Sequence, residues 1–142
     1  MQSTIASFQL TDYHFSKVTL DNTLIISNDI SVSFELGGVF SLSAEKEISN
    51  YKLTFEIAGR CKGSEAPFIT VECIADFSFE GVKSIETIPD YFYQNSIAIL
   101  FPYIRAYVSL VTNQANIKPI ILPTLNLTKL SIPLKENTTV QN

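Results

Sequence analysis

Three stretches of this chain alternate apolar and polar side chains with a period of two, which narrows the folds open to it. Ile30, Val32, Phe34, Leu36, Phe40 and Leu42 alternate with mostly polar residues. Tyr51, Leu53, Phe55, Ile57 and Cys61 alternate with Lys52, Thr54, Glu56 and Arg60. Ile69, Val71, Cys73, Ala75, Phe77 and Phe79 alternate with Thr70, Glu72, Asp76 and Ser78. Successive side chains of a strand point to opposite faces, so each run reads as a strand with one buried face. Gly37-Gly38 reads as a local weakening or a bulge, and Lys62-Gly63-Ser64-Glu65-Ala66-Pro67 as the turn between the last two runs.

A fourth strand precedes these three, and its phase changes. Phe8 and Leu10 fall on even positions, Tyr13 and Phe15 on odd ones, Val18 and Leu20 on even ones again. Two bulges, near Asp12 and Ser16, would explain this; so would a strand covered on both faces, as at an interface.

Pro89 and Asp90 then suit the first turn of a helix. From Tyr91 to Asn113 the apolar residues do not keep to one stripe: Phe92, Ile97, Leu100, Phe101, Ile104, Tyr107, Val108 and Leu110 go most of the way round. A helix apolar on most sides is buried on most sides. One sheet covers one side, so the other side calls for a second copy. Pro102 should kink or break the helix. The fold expected is α+β: a four-stranded antiparallel sheet with a long helix packed on one face. Residues 117–134 hold three prolines and no clear second helix, and a polar tail follows. One domain over 1–134 with a tail over 135–142 is the expected organisation.

Hydrophobic residues make up 46% of the 142 and charged residues only 17%. The apolar excess must be buried in an oligomer or in a surface that binds something apolar. Net charge is −4, which disfavours nucleic acid and anionic membranes, since both need clustered Lys and Arg. Residues 1–10 lack the basic and apolar regions of a signal peptide, and no run is long enough to insert into a membrane. A cytoplasmic protein with reduced thiols is expected.

Little chemistry stands out. His14, on a strand, reads as structural or surface. Cys61 and Cys73 lie on apolar faces of neighbouring strands, where they could be close in space; without clustered histidines they read as small buried hydrophobes rather than zinc ligands. No nucleophile elbow, P-loop or dinucleotide fingerprint is present. Asn126-Leu127-Thr128 and Asn137-Thr138-Thr139 match the glycosylation pattern, which matters only in a secreted protein. Neither an enzyme nor a cofactor is expected. The apolar loop 117–127 has two readings: it finishes the core on its own sheet, or it stays exposed as a binding surface.

Leu100-Phe101-Pro102-Tyr103-Ile104-Arg105 resembles the L-F-P-Y-A-R helix of the SecB family of bacterial export chaperones. The segment from Lys118 through Pro119, Ile120, Ile121, Leu122, Pro123, Thr124, Leu125 and Asn126 to Leu127 is similar to the proline- and leucine-rich crossover loop that follows that helix. The order of elements fits over residues 5–130. The resemblance implies a SecB-like sheet-and-helix fold and pairing through the first strand and the long helix, here Tyr13, Phe15, Phe101, Ile104 and Val108. Pairs would stack into a tetramer. It also implies that unfolded polypeptides are held along grooves lined by the loop, with Ile117, Ile120, Leu122, Leu125 and Leu127 as contacts, without cofactor or nucleotide. Ile117 stands where the loop usually carries an aromatic.

Docking on the SecA motor would use Asp21 and Glu72. Lys17, however, reverses a family charge, and the second helix and motor-contacting tail are not recognisable. A weak or absent motor partnership is therefore expected. Some SecB-like proteins chaperone an antitoxin in toxin–antitoxin systems. Two functions follow: an ATP-independent holdase for preproteins or a dedicated client, or an oligomeric scaffold with a closed groove.

Overall fold

The computed structural model describes residues 7–42, 48–118, 122 and 126–141. Strand β1 (Ser7–Leu20) is followed by β2 (Ile30–Leu42), β3 (Ile48–Cys61) and β4 (Ile69–Glu80). Helix α1 (Asp90–Gln114), helix α2 (Leu127–Glu136) and strand β5 (Thr138–Gln141) complete the chain. The sheet order is β1-β4-β3-β2-β5. The first four strands pair antiparallel, as the alternation predicts.

The fifth strand corrects the expected fold. β5 pairs in parallel with Gly38–Ser41 of β2, so the sheet has five strands of mixed orientation. The segment read as a polar tail contributes this strand. The second helix is a further correction. Prolines at 119, 123 and 133 hide it in the sequence, but α2 starts after the first two and carries Pro133 near its end. Its start signal is Asn126, whose side chain accepts from the Lys129 N–H at 3.1 Å.

Two register shifts in the β1–β4 ladder, at Leu10/Asp12 and at Phe15/Lys17, explain the phase changes of the first strand. Each extra residue returns the pattern to the same face, so Phe8, Leu10, Tyr13, Phe15, Val18 and Leu20 all lie opposite inward residues of β4. The Thr11 hydroxyl donates to the Asp76 carbonyl at 3.0 Å, and the Ser16 hydroxyl donates to the Glu72 carboxylate at 2.7 Å. The bulged residues thus tie themselves to the strand they interrupt. The β2–β3 ladder, in contrast, runs without a shift through Gly37 and Gly38. Gly38 is there for space: a Cβ would overlap the Tyr51 hydroxyl and ring. Gly63, at φ 89°, makes the expected β3–β4 turn.

Helix α1 lies on the inward face of the sheet and runs through Pro102 without a break. It ends in a Schellman motif. Asn116 adopts φ 58°, Ile117 N–H reaches back to Thr112 C=O, and Asn116 N–H to Asn113 C=O. Phe92, Ile97, Leu100, Phe101, Ile104 and Val108 are buried against the sheet. At the centre, Phe92 meets Tyr51, Phe77 and Phe79 with ring centroids 4.6–5.5 Å apart. Lys135, in the last turn of α2, bonds Asp90 at the start of α1 at 2.7 Å.

Candidate functional site

Two surfaces bear on function: the outer face of α1 beside β1, and the open edge of β2 beside α2. The first follows from the helix being apolar nearly all round. Its inner stripe is taken up by the sheet, and Ile99, Tyr103 and Leu110 remain exposed on the other side. β1 is an edge strand, and its inward aromatics extend that surface. Tyr13 stacks on Tyr103 with centroids 4.6 Å apart. Phe15 lies flat on Tyr107 at 3.8 Å, with planes 9° apart. These rings join strand and helix into one aromatic ridge that remains partly open to solvent.

The residues expected at an oligomer interface therefore divide. Tyr13 and Phe15 lie on the ridge. Phe101, Ile104 and Val108 are 5% exposed or less and fill the chain's own core. Sequence periodicity shows that α1 has two apolar sides, but not which one meets the sheet. Tyr103 and Tyr107 are the further ridge residues; they lie four apart on one face, two positions from Phe101 and one from Val108, which face the other way.

The loop residues divide too. Leu122 is 4% exposed and packs in the core near Val32, Ile57, Val71 and Val108. In this arrangement its side chain faces no solvent. Ile117 is half-buried, and so is Leu127, which packs against the core from the first turn of α2. Ile120 and Leu125 lie outside the described residues.

On the outer face of the sheet one cross-strand row reads Lys17, Glu72, Glu56, Glu35 from β1 to β2. Lys17 is thus opposite Glu72 in register, while Glu72, Glu56 and Glu35 neighbour one another across the strands as like charges. Asp21 caps the short turn Asn22–Leu24, its carboxylate accepting from Thr23 N–H at 3.0 Å. Asp21 and Glu72 stand at the two ends of different features and do not form one patch by any contact in the structure.

The second surface is the β2 edge. β5 covers only Gly38–Ser41, and among the described residues no strand pairs with Ile30–Gly37 on that side. A recess of about 450 Å³ abuts this edge, with Phe34 and Leu36 on one side, Leu130 and Pro133 of α2 on another, and Glu35, Glu56 and Glu72 on its outer wall. β5 is anchored at its start. The buried Tyr51 hydroxyl and the Thr138 hydroxyl are 2.6 Å apart, and Thr138 donates to Leu134 C=O at 2.7 Å. With its proton committed to Leu134, Thr138 must accept from Tyr51. Burial pushes the Tyr51 phenol well above its ordinary range, more than the Thr138 bond lowers it.

Among the described residues the histidine and the two cysteines are not brought together. His14 is exposed on β1. Burial pushes the Cys73 thiol up to about 11, which disfavours the reactive thiolate. Cys61 donates to Ser27 C=O. The two cysteines are not close: Cys73 is opposite Phe55, and the six residues from there to Cys61 span on the order of 20 Å. No cluster of three or more metal-ligating side chains occurs among the described residues.

No family model matches the chain. An uncharacterized protein of Methanocaldococcus jannaschii is 41% identical over 54 residues, 38% of this chain. That match spans about a third, 35%, of the curated relative's length. Among solved structures, a SecB-like chaperone of Mycobacterium tuberculosis, in complex with a ChAD peptide from the HigA1 antitoxin, aligns with TM-score 0.58 at 15% identity. The alignment covers 84% of this chain and 91% of that one. A protein of unknown function from Streptococcus agalactiae aligns with TM-score 0.50 at 10% identity, over 85% of this chain and 100% of that one. The fold is SecB-like.

Proposed function

We propose that this protein is a holdase chaperone that binds unfolded or extended polypeptide through apolar surface, without nucleotide. The observation that carries the reading is the SecB-like fold with an apolar helix only half covered by its own sheet. A structural neighbour with that fold is a chaperone bound to an antitoxin peptide, which supports a polypeptide ligand here. Apolar burial is non-directional, so one such surface accepts many sequences. A few buried Leu or Ile side chains, at roughly 1.5–3 kcal/mol each, are enough for micromolar binding after ordering costs.

The client-binding region we propose runs from the end of α1 through the loop to the start of α2, with Ile117, Ile120, Leu125 and Leu127 as contacts. Leu122 joins them only if the loop shifts, because its side chain now completes the core. The ridge of Tyr13, Phe15, Tyr103 and Tyr107 is assigned to pairing with a second copy, giving a dimer and, by stacking of dimers, a tetramer. Coupling to SecA is proposed to be weak or absent, because a Lys, Lys17, stands opposite Glu72 in register and Asp21 is engaged as a cap. A cytoplasmic setting and the lack of an enzymatic reaction belong to the same reading.

A second reading, an oligomeric scaffold with a closed groove, is favoured by one observation: Leu122 is inside the core. The two separate on a simple assay. A holdase delays aggregation of an unrelated unfolded protein in the absence of ATP; a scaffold does not.

A further inference from the structure

We infer that the edge of β2 is a strand-accepting surface for an extended, apolar and basic polypeptide segment, and that the chain's own β5 competes for it. The inference rests on the chaperone reading above and says where a client's backbone would add.

The alternation along β2 shows which backbone groups are involved. Gly38 N–H donates to Asn137 C=O at 3.3 Å, and Leu36 C=O accepts from the Asn137 side-chain amide at 3.0 Å. Even-numbered residues of β2 therefore aim their N–H and C=O away from β3. By the same alternation Val32 and Phe34 present theirs at the edge, where no described strand pairs with them. An edge of this kind is a template for another strand. The chain itself shows that this edge accepts one, since β5 extends the sheet there over four residues.

The surroundings select the occupant. Phe34, Leu36, Leu130 and Pro133 border a recess of about 450 Å³ at the edge, enough for apolar side chains. On its outer wall Glu35 pairs across to Glu56, and Glu56 to Glu72. Like charges directly opposite one another destabilise a sheet, so Lys or Arg on an incoming strand relieves that repulsion.

β5 is built to yield. Its attachment is concentrated at Asn137 and Thr138, through Leu36, Tyr51 and Leu134. Thr139, Val140 and Gln141 are exposed and held by the parallel ladder, the less stable kind of pairing. A client strand longer than the open stretch Ile30–Gly37 meets β5 at its anchored start and takes its place only by releasing Thr138 as well. A protein whose binding-competent form is only a fraction of the population binds more weakly by that fraction, so β5 sets the affinity.

The test uses the full chain and a carboxymethylated, permanently unfolded protein as probe. Thr139→Pro removes the N–H that the register sets against Gly38 C=O and should tighten probe binding by about tenfold. Val39→Cys with Thr139→Cys, oxidised, locks the two paired strands and should weaken binding by about the same factor, with reductant restoring it. In the parent, amide exchange at Val32 and Phe34 should slow in the complex and that at Gln141 should quicken. Equal affinity of parent, released and locked forms overturns the competition and leaves the chaperone reading standing. Failure of all forms to bind the probe overturns both. Slowed exchange confined to the outer face of α1 puts the client elsewhere and overturns the edge assignment.

Discussion

The Tyr51 hydroxyl passes over Gly38 to donate to the Thr138 hydroxyl, 2.6 Å away, and so fastens the final strand to the middle of the sheet. Tyr51 is fully buried, and its hydroxyl and ring edge occupy the space that a side chain at Gly38 would fill. Gly38→Ala should therefore destabilise the protein by about 1–3 kcal/mol, the usual cost of overpacking. Tyr51→Phe keeps the ring and loses one hydrogen bond. Thr138 still donates to Leu134, so the cost should be about 1 kcal/mol. Urea denaturation of the two variants checks the order.

Alkali should destabilise the protein through its buried thiol and phenols. Cys73 rises from 9.0 to about 11 through burial, and burial raises Tyr51 and Tyr93 above 10.0. In each case the native state holds its proton more tightly than the unfolded chain. Stability from these groups is complete below the unfolded value and is lost as pH rises toward the folded one. Stability should thus be level up to pH 9.0, fall between there and about 11 as Cys73 ionises in the unfolded chain, and fall more steeply once the tyrosines join. Cys73→Ala should flatten the first part of that fall, measured as urea midpoint against pH.

Ile104 and Tyr103 are neighbours in sequence with opposite exposures, 0% and 44%. Ile104→Asp leaves an unpaired charge in the core and should cost about 3–5 kcal/mol, unfolding the chain. Tyr103→Asp with Tyr107→Asp should keep the circular dichroism of the parent and shift the mass in light scattering from oligomer to monomer. A parent that is monomeric at micromolar concentration removes the proposed role of the ridge.

The bulges make a sharper claim about β1. Deleting Thr11 removes the extra residue and should leave Phe8, Leu10 and Tyr13 inward in an unbroken ladder, since Leu10 and Asp12 already oppose the consecutive residues Phe77 and Asp76. Inserting one residue between Gln9 and Leu10 should instead send Phe8 to the outer face. Thr11→Ala keeps the register and removes only one exposed hydrogen bond. In urea denaturation the insertion should destabilise by several times more than the deletion or the substitution, the last of which should stay within about 1 kcal/mol.

Much of this architecture was legible in the alternation itself. Residues 30–42, 51–61 and 69–79 are strands with the expected faces inward, and the double phase change of Phe8–Leu20 marks two real bulges. What the pattern could not supply was the other half of each contact. Gly38 looks like a weakness until Tyr51 is placed over it. Leu122 looks exposed in a proline-rich segment until Val32, Ile57 and Val108 close around it. β5 is four polar or β-branched residues whose strand character comes wholly from the β2 edge beside them. α2 was hidden by prolines, although its Asn126 cap was in plain sight.

The central claim is that this SecB-like fold holds unfolded polypeptide, and the most direct measurement is light scattering from an aggregating, unrelated denatured protein with and without this chain, in the absence of ATP. The account predicts that scattering is delayed in proportion to added protein, and that Ile120→Ser with Leu125→Ser weakens the delay while oligomer mass stays unchanged. Scattering that rises equally fast with and without the protein would contradict it.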